Sequence, residues 1–390
     1  MACHWIDLRT VFALCALLGS AQAFVLWRFR RRLRPAPAEA GPFPALSVIV
    51  PFKGLSPGLE DSVRSMLGQD YPGKIEYLFV AASRQDAAYA KLEGLLAGSG
   101  AEARLLESQA VPVRCGEKNL NLIHAVSKAS PGSQLLLFAD SDLRVPSDWA
   151  RRLAAPLKDP RVGAATMLML YVPATWRLSD ILRSVWIGAG LPFFCATPPP
   201  CGQSLAMRRR DYERLGVAAV WERCVTDDSC LEGVFKRAGL RVTAVPAALP
   251  HSRGSCTLPG LLALSSRWFF VSRIHTPRAW LPMAGTLLAK LWIVLWALRA
   301  PVSWGLLAAE LAVDTTYAFS VFWTLSMRFP GYFTGAGPGP RLMPILAALA
   351  MPVVFLIYLS NLAASLFLRG FRWGGYHYRV RGSQDVEVLG

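Results

Sequence analysis

Residues 135–146 read LLLFADSDLRVP, and this stretch decides the fold. Residues 135–139 form a short apolar run without helical periodicity, which is typical of a strand buried on both faces of a parallel sheet. Asp140 and Asp142 follow it. Because alternate residues of an extended chain point the same way, both carboxylates are predicted at the edge where open α/β sheets bind ligands. They suit a divalent metal, which prefers oxygen ligands. An Asp-x-Asp pair also occurs in solvated turns, so the rest of the chain has to decide.

Alternating strand and helix patterns surround this stretch. Strands are predicted at 46–50, 75–82, 103–106, 162–171 and 240–245, and helices at 59–68, 87–96, 120–127, 174–189 and 229–238. Repeated β-α units with short links predict a parallel sheet with right-handed crossovers. Residues 45–260 are therefore interpreted as an α/β domain of the nucleotide-binding type.

Two segments of this domain have more than one interpretation. Residues 191–197 are strongly apolar, and they fit a membrane-contacting segment, the wall of an acceptor pocket or plain core packing. Asp227 lies just before the predicted helix at 229–238, where an acid can serve as an N-cap or take part in chemistry.

The composition indicates a membrane protein. Of the 390 residues 17% are charged, and the mean hydropathy is positive, which is too apolar for a wholly soluble chain. The formal net charge is +16, but Arg and Lys concentrate at 28–34 and 369–381, beside apolar stretches. That pattern favours an anionic membrane face, and no nucleic-acid partner is expected. The eight cysteines form no Cys-x-x-Cys motif and are interpreted as reduced thiols.

The N-terminal region predicts a membrane anchor. Residues 10–27 are apolar and just long enough to span a bilayer, and WRFRRRLR begins at Trp27. The positive-inside rule then places the following domain in the cytoplasm. Ala21-Gln22-Ala23 resembles a signal-peptide cleavage site, but the dense Arg cluster opposes translocation. We therefore expect an anchor with a basic flank at 1–34 and a Pro- and Ala-rich linker at 35–44.

The C-terminal region predicts further membrane helices. An interfacial segment is expected at 261–278, transmembrane helices within 279–368 and a basic tail at 369–390. The stretches 279–298 and 342–368 are long enough to span, whereas the stretch at 302–327 carries Glu310 and Asp314, which are costly in a membrane. Three crossings would place the tail outside, while its basic charge favours the inside. One re-entrant stretch would resolve this conflict, which the sequence leaves open.

The order of motifs resembles the lipid-directed inverting glycosyltransferases of the family two and family twenty-one type, and most closely the ceramide glucosyltransferases. The matching segments are VPFKG (50–54), QDYPGKIEYLF (69–79), GEKNLNL (116–122), DSDLRVP (140–146), CGQSLAMRR (201–209), TDDSCLEGVFKRAGLR (226–241) and SSRWFFVSRI (265–274). The resemblance covers nearly the whole chain. It implies an A-type glycosyltransferase nucleotide-diphospho-sugar domain with an N-terminal transmembrane helix and C-terminal transmembrane helices.

The resemblance also implies roles for acidic residues. Asp140 and Asp142 would hold Mg²⁺ or Mn²⁺ on the diphosphate of a UDP-sugar, where the metal neutralises charge on the leaving group. Asp228 would be the general base that deprotonates the acceptor hydroxyl for a single inverting displacement. Asp86 is a candidate for a uracil or ribose contact.

Further residues are implied in donor and acceptor binding. Arg267 and Trp268 match the end of the Gln/Arg-x-x-Arg-Trp motif near the diphosphate and acceptor, although Leu264 replaces its first residue and a membrane-interface anchor is the alternative. The remaining candidates are a donor loop of Pro51, Lys53 and Gly54, a nucleotide contact from Lys118, and a close backbone approach at Gly202.

The expected function is transfer of a hexose, glucose by best match, from a UDP-sugar to the hydroxyl of a membrane lipid, ceramide by best match. A hopanoid or diacylglycerol acceptor is the alternative within the same chemistry. A polysaccharide synthase ranks lower because few terminal spans are present. A non-catalytic membrane scaffold is the alternative from another class. The protein is expected to be a multi-pass integral membrane protein, in the inner or plasma membrane if bacterial, with a cytoplasmic catalytic domain.

Overall fold

The computed structural model describes residues 2–33, 43–298 and 304–389, so most of the predicted linker at 35–44 lies outside the described residues. The strands are β1 (Leu46–Phe52), β2 (Ile75–Ala81), β3 (Ala103–Glu107), β4 (Leu135–Ala139), β5 (Val162–Thr166), β6 (Leu170–Val172), β7 (Ser204–Arg208), β8 (Arg241–Ala244), β9 (His251–Arg253), β10 (Gly370–Trp373), β11 (Tyr376–Gly382) and β12 (Asp385–Val388). The α-helices are α1 (Ala2–Arg32), α2 (Leu59–Leu67), α3 (Ala87–Ala97), α4 (Glu117–Lys128), α5 (Trp149–Ala154), α6 (Leu178–Ala196), α7 (Arg209–Arg214), α8 (Val217–Trp221), α9 (Glu232–Arg237), α10 (Leu258–His275), α11 (Pro277–Ala297), α12 (Trp304–Arg328) and α13 (Met343–Phe367). The described 3₁₀ turns are Ala155–Lys158, Ser229–Leu231, Pro246–Ala248 and Pro330–Phe333.

A seven-stranded sheet in the order β3-β2-β1-β4-β7-β5-β8 forms the centre of the molecule. The strand β4 is buried along its whole length, as its apolar sequence predicts. Leu135 and Leu137 face a core that includes α2 and α5, while Leu136 and Phe138 face a second core with α4, α8 and α9. The predicted α/β class, with an apolar N-terminal helix and apolar C-terminal helices, is confirmed.

The sheet is mixed rather than fully parallel. β7 pairs antiparallel with both β4 and β5, while the other neighbouring strands of the sheet pair in parallel. Ser204, the first residue of β7, lies opposite Ala139, the last residue of β4. A strand that starts where its neighbour ends has to run the other way, so the all-parallel prediction is wrong at β7.

Other predicted elements differ in their boundaries. The single strand predicted at 162–171 is two strands in different sheets, because the chain leaves the large sheet after β5 and pairs through β6 with β9. The helix predicted at 174–189 and the apolar segment at 191–197 are largely one continuous helix, α6. The helix predicted at 229–238 is a 3₁₀ turn followed by the short helix α9.

The predicted basic tail is an antiparallel three-stranded sheet of β10, β11 and β12, here called the tail sheet. The turn between β10 and β11 consists of Gly374 and Gly375, both with positive φ. Two successive residues with positive φ define the tight hairpin turn that matches the twist of paired strands, and glycine adopts it without steric cost.

Five of the described helices are long and apolar enough to cross a membrane: α6, α11, α12, α13 and the part of α1 at Thr10–Arg32.

The acids Glu310 and Asp314 of α12 have polar partners on the neighbouring helices. Lys290 of α11 forms ion pairs with both, at 2.8 Å from Asp314 Oδ1, and Gln22 of α1 donates a hydrogen bond of 2.7 Å to Asp314. This polar contact ties α1, α11 and α12 together and explains how two acids are accommodated.

We predict that Lys290→Met strongly destabilises the protein. The substitution leaves two buried carboxylates without their cation, and breaking a buried ion pair costs about 3–5 kcal/mol. A thermal unfolding curve in detergent should show a clearly lower Tm than wild type. The matched control is Lys91→Met, since Lys91 forms an exposed pair with Glu60 and its loss should leave the Tm nearly unchanged. Equal Tm values for the two variants would show that the buried pair does not stabilise the helices.

Candidate active site

A cavity of about 500 Å³ opens at the edge of the sheet where β1 and β4 end. It has a charged end and an apolar end. The charged end is lined by Lys53, Glu117, Lys118, Asp140, Asp142, Asp227, Asp228 and Arg267. The apolar end is lined by side chains that include Leu168, Trp186, Ile187, Phe194, Leu264, Trp268 and Tyr358.

Lys118 links the two acidic segments at the charged end. Its Nζ lies 2.6 Å from Asp140 Oδ1 and 2.9 Å from Asp227 Oδ1. Burial alone would lower the pKa of Lys118, but the two carboxylates outweigh that effect and hold the pKa well above its usual value. Lys118 is therefore a permanent cation inside a group of acids rather than a surface charge.

Three acids of the site, Asp140, Asp142 and Asp227, have raised pKa values and so resist ionisation more than ordinary aspartates do. Burial raises the pKa of Asp140, and the nearby charges of Asp142 and Asp228 add to that rise against the opposing charge of Lys118. Burial likewise raises the pKa of Asp142. The pKa of Asp227 is raised to about 6, again mainly by burial. A cation entering the site would relieve this accumulated negative charge.

Asp142 and Asp228 are each held by hydrogen bonds. Ser252 Oγ, in β9, donates to Asp142 Oδ2 over 2.9 Å. The backbone N–H of Gly202 donates to Asp228 Oδ2 over 2.9 Å, and Ser229 Oγ donates to Asp228 Oδ1 over 2.9 Å. Asp228 accepts a hydrogen bond from the backbone N–H of Ser229 as well, so it caps the 3₁₀ turn.

Asp227 is not the cap of that turn, so the N-cap interpretation of this residue is wrong. Its Oδ1 pairs with Lys118, and its Oδ2 is buried without a hydrogen-bond partner among the described residues. A Cβ atom on Gly202 would lie only 2.1 Å from Asp227 Oδ2. The backbone of Gly202 therefore approaches Asp227 closely, and a role of Gly202 in shaping the donor or acceptor loop stays a prediction.

The predicted donor loop lies beside the acids. Pro51 and Lys53 line the cavity, and Lys53 Nζ lies 2.6 Å from Glu117 Oε2. The N–H of Gly54 donates to the Asp86 carboxylate, at 2.9 Å for the shorter contact, and the same carboxylate caps α3 by accepting from the N–H of Ala88 over 2.8 Å. In this structure Asp86 and Gly54 support the loop; a direct contact of Asp86 with a nucleotide stays a prediction.

Arg267 and Trp268 of α10 both face the cavity, and they lie at its two ends. The Arg267 guanidinium lies 5.2 Å from the ring centroid of Trp373 in the tail sheet. Burial lowers the pKa of Arg267, opposed by Tyr171 and by the charges of Asp140 and Asp228. The Trp268 ring lies 5.5 Å from the ring of Trp186 in α6, and Leu264 lines the cavity one helical turn before the Arg-Trp pair.

Several lining residues were missed by the sequence reasoning. The tail sheet contributes Phe371, Trp373, Gly374 and Tyr378 to the wall at the charged end. The sequence does contain a signal for the tail sheet, because a Gly-Gly pair between two aromatic-rich runs is typical of a β-hairpin. Glu117 and Gln203 also line the cavity, next to the predicted residues Lys118 and Gly202.

The donor set at the charged end fits a divalent cation that shares its coordination with a phosphate. Among the residues that the structure describes, no group of three or more His, Cys, Asp or Glu side chains could hold a metal ion by itself. Asp140 and Asp142 nevertheless supply the oxygen ligands that Mg²⁺ and Mn²⁺ prefer. Four aspartates line the cavity. Lys53 is paired with Glu117, so only Lys118 and Arg267 remain among the lining cations to balance the four negative charges. This surplus of negative charge favours a bound cation.

Curated relatives of the chain carry a glycosyltransferase name. It is 27% identical over 252 residues to an N-acetylglucosaminyltransferase of Rhizobium meliloti (strain 1021), covering 60% of this chain and 56% of that protein. It is also 27% identical over 274 residues to an N-acetylglucosaminyltransferase of Rhizobium leguminosarum bv. viciae, covering 65% of this chain and 62% of that protein. The chain thus spans less than two thirds of the length of these relatives.

Among solved structures, the chain is similar to the mannosyltransferase PcManGT from Pyrobaculum calidifontis, which was determined in complex with GDP-Man and Mn²⁺. The TM-score is 0.49 and the sequence identity 21%, with 92% of this chain and 98% of that chain covered.

A family model extends over nearly the whole sequence. The model of glycosyl transferase family 21 matches residues 10–386, which include most of α1, the α/β domain with its acids, and most of the tail sheet. The chain therefore belongs to glycosyl transferase family 21.

Proposed function

We propose that the protein transfers a hexose, with glucose as the first candidate, from a UDP-sugar to the hydroxyl of a membrane lipid, with ceramide as the first candidate. One observation carries this proposal: a single cavity joins a cluster of acids and cations to an apolar chamber built from the hydrophobic helices α6, α10 and α13. A nucleotide-sugar fits the first part, and the chain of a lipid fits the second. The resemblance to ceramide glucosyltransferases supports the choice of sugar and lipid.

The charged end supports binding of a diphosphate. Asp140 and Asp142 would hold Mg²⁺ or Mn²⁺, which when bound neutralises charge on the departing diphosphate. Arg267 offers a planar donor group that suits phosphate oxygens. Lys118 keeps Asp140 and Asp227 in place, so its primary task is to position acids rather than to contact the donor.

Asp228 is the proposed general base, and it lines the cavity. The N–H of Gly202 and the groups of Ser229 fix its carboxylate at the cavity wall. In the proposed reaction this carboxylate takes the proton of the acceptor hydroxyl while the hydroxyl oxygen attacks the anomeric carbon. The bond from that carbon to the diphosphate oxygen breaks in the same displacement, which inverts the anomeric configuration.

The apolar end supports a lipid that has a polar group near its hydroxyl. Trp186 lines this end, and its indole N–H is buried without a hydrogen-bond partner among the described residues. An amide or ester carbonyl of the acceptor would satisfy that donor, since buried polar groups without partners are costly. Ceramide and diacylglycerol carry such a carbonyl, so this observation favours them over a hopanoid.

We predict that Asp142→Asn weakens metal-dependent nucleotide binding. Loss of even a supporting partner of a metal ligand costs about 10- to 100-fold in metal affinity, and loss of the ligand should cost at least as much. The measurement is titration calorimetry of UDP with Mn²⁺ and with EDTA. Glu93→Gln, an exposed acid on α3, is the control. A variant that binds UDP with an unchanged dependence on Mn²⁺ would remove Asp142 from the metal site.

We predict that Asp228→Asn abolishes transfer but not donor binding. Removal of a general base lowers kcat by roughly 100- to 10,000-fold, while the donor contacts remain. The Kd for UDP in the presence of Mn²⁺ and the Tm should both stay close to wild type. Normal turnover by this variant would exclude Asp228 as the base.

The donor and acceptor classes are tested together in a transfer assay on the full chain in detergent. UDP-glucose, UDP-galactose, UDP-N-acetylglucosamine and UDP-glucuronate are each offered with ceramide, diacylglycerol and a hopanoid, with and without EDTA. We expect EDTA-sensitive labelling of ceramide from UDP-glucose. Labelling from UDP-N-acetylglucosamine instead would follow the name of the two curated relatives and replace glucose as the donor. Equal, background labelling by wild type and Asp228→Asn in all mixtures would favour the scaffold alternative.

A further inference from the structure

We propose that the tail sheet is part of the donor site, in which the rings of Trp373 and Phe371 hold the Arg267 guanidinium where it faces the diphosphate of the donor. Trp373 and Phe371 are then positioning residues, because they act on the donor through Arg267. The inference rests on the proposed binding of a nucleotide diphosphate, but it does not depend on which sugar or lipid the enzyme uses.

One face of the tail sheet carries four aromatic side chains, here called the aromatic face. Phe371 and Trp373 are alternate residues of β10, so they point to the same side. In the register of the hairpin Tyr378 lies opposite Phe371, and Tyr376 lies opposite Trp373. Residues directly opposite each other in an antiparallel pair share one face. Because Phe371, Trp373 and Tyr378 all line the cavity, the aromatic face is turned toward the site.

The aromatic face contacts two cations of the site. The guanidinium carbon of Arg267 lies 5.2 Å from the ring centroid of Trp373 and 5.8 Å from that of Phe371. Lys53 Nζ lies 4.5 Å from the ring centroid of Tyr376. The face of an aromatic ring attracts a cation within about 6 Å of its centroid, most strongly for Trp and where water is excluded. The tail sheet therefore attracts the basic groups at the charged end of the cavity.

Arg267 has no polar partner in the part of the chain that the structure describes. Its contacts there are with aromatic rings, and it forms no hydrogen bond or ion pair with a described residue. A guanidinium carries five N–H donors, and phosphate oxygens accept them in pairs. Because no described oxygen accepts these donors, they remain for an anionic ligand in the cavity that Arg267 lines.

Aromatic rings position a cation in a different way from carboxylates. Lys118 is paired with Asp140 and Asp227, and these acids occupy its donors and offset its charge. The rings on either side of the Arg267 contact carry no net charge, so they leave the positive charge of Arg267 uncompensated. A cation held in this manner keeps its full charge and its donors for a diphosphate, and this is the property that distinguishes Arg267 from Lys118.

The tail sheet is fixed to the loops that carry the acids. Cys224 Sγ, in the loop before Asp227, donates to Ser383 O over 3.2 Å. The Trp373 ring packs on the backbone just before α4, where a Cβ atom on Gly116 would lie 3.6 Å from it. The Trp373 ring is thus held between the start of α4 and the helix α10, which carries the Arg-Trp pair.

We predict that Trp373→Leu weakens the binding of UDP. Loss of the ring should raise the Kd for UDP with Mn²⁺ about 5- to 30-fold, the range of a cation–π contact from which water is excluded. Trp373→Phe keeps a ring and should stay within about threefold of wild type. The measurement is titration calorimetry on the full chain in detergent, together with the Tm of each variant.

The matched control for Trp373→Leu is Arg372→Ala. Arg372 is the neighbouring residue on β10, it is exposed, and it lies on the face opposite the aromatic face. Its removal should change the Kd for UDP by less than about twofold, as is usual for a surface substitution. An effect of Arg372→Ala as large as that of Trp373→Leu would show that any change in β10 disturbs the site, and would overturn the inference.

A double variant separates positioning of Arg267 from simple closure of the cavity. Arg267→Ala should raise the Kd for UDP at least about tenfold, as expected for the loss of charged hydrogen bonds. In that background Trp373→Leu should change the Kd by less than about twofold, because its effect passes through the missing guanidinium. Equal effects of Trp373→Leu in both backgrounds would show that the ring only closes the cavity, and would overturn the inference.

A second ring keeps the test decisive if Trp373→Leu lowers the Tm. Phe371→Leu is a smaller change at the other contact of Arg267, and it should raise the Kd for UDP about two- to fivefold. This effect should also disappear in the Arg267→Ala background. Its persistence there would overturn the inference.

The proposed function and this inference fail in different ways. A wild-type chain that binds no UDP in the presence of Mn²⁺ would exclude the donor site, and both proposals with it. A wild-type chain that binds UDP, together with a folded Trp373→Leu variant of unchanged Kd, would overturn only the role of the tail sheet.

Discussion

The contact between Lys118 and two acids holds the site together. Asp140 and Asp227 come from segments far apart in the sequence, and without a cation between them two buried carboxylates would repel each other. Lys118 can serve both because the start of α4 is fixed to the loop that carries Asp227: Asn119 Nδ2 donates to Cys224 O over 2.7 Å and to Trp221 O over 3.0 Å. Lys118 and Asn119 therefore connect the end of β4, the start of α4 and the loop that carries Asp227. A donor that enters the cavity meets groups whose positions are already set.

The hydrophobic helices of the chain have two different structural roles. The Lys290 ion pairs join α11 to α12, and the hydrogen bond from Gln22 to Asp314 joins α1 to α12. All three helices expose apolar surface outward. α6 is equally apolar, but it is mostly buried, and both of its ends lead into strands of the α/β domain. Together with α10 and α13 it builds the apolar half of the cavity. Length and apolar composition therefore do not distinguish a helix that exposes most of its surface from a helix that forms a wall of the cavity.

The sequence predicts those features that depend on neighbouring residues. The strand before Asp140 and the turn at Lys53 and Gly54 follow from local patterns, although the strand predicted to end at residue 50 continues through Pro51 to Phe52. Arg267 and Trp268, which line the cavity, were indicated by the resemblance to a family motif and not by a local pattern. The direction of β7 cannot be predicted from a local pattern, because it depends on where the loop before Ser204 meets the end of β4. That Asp228 rather than Asp227 caps the 3₁₀ turn is also hidden from the sequence, since both residues precede the same turn and only the distant partners Lys118 and Gly202 distinguish them. Both features are determined by contacts between residues that are far apart in the sequence.

The tail sheet has a consequence for how the protein is made. Trp373 and Tyr378, which close the charged end of the cavity, are synthesised after every hydrophobic helix of the chain. During translation α1 and then the α/β domain emerge before the C-terminal helices, and the domain can fold its sheet while the pocket is still open on one side. The wall is completed only after α11, α12 and α13 have been synthesised and the tail sheet has docked on the α/β domain. A nascent chain that still lacks these C-terminal residues therefore has an unfinished cavity wall.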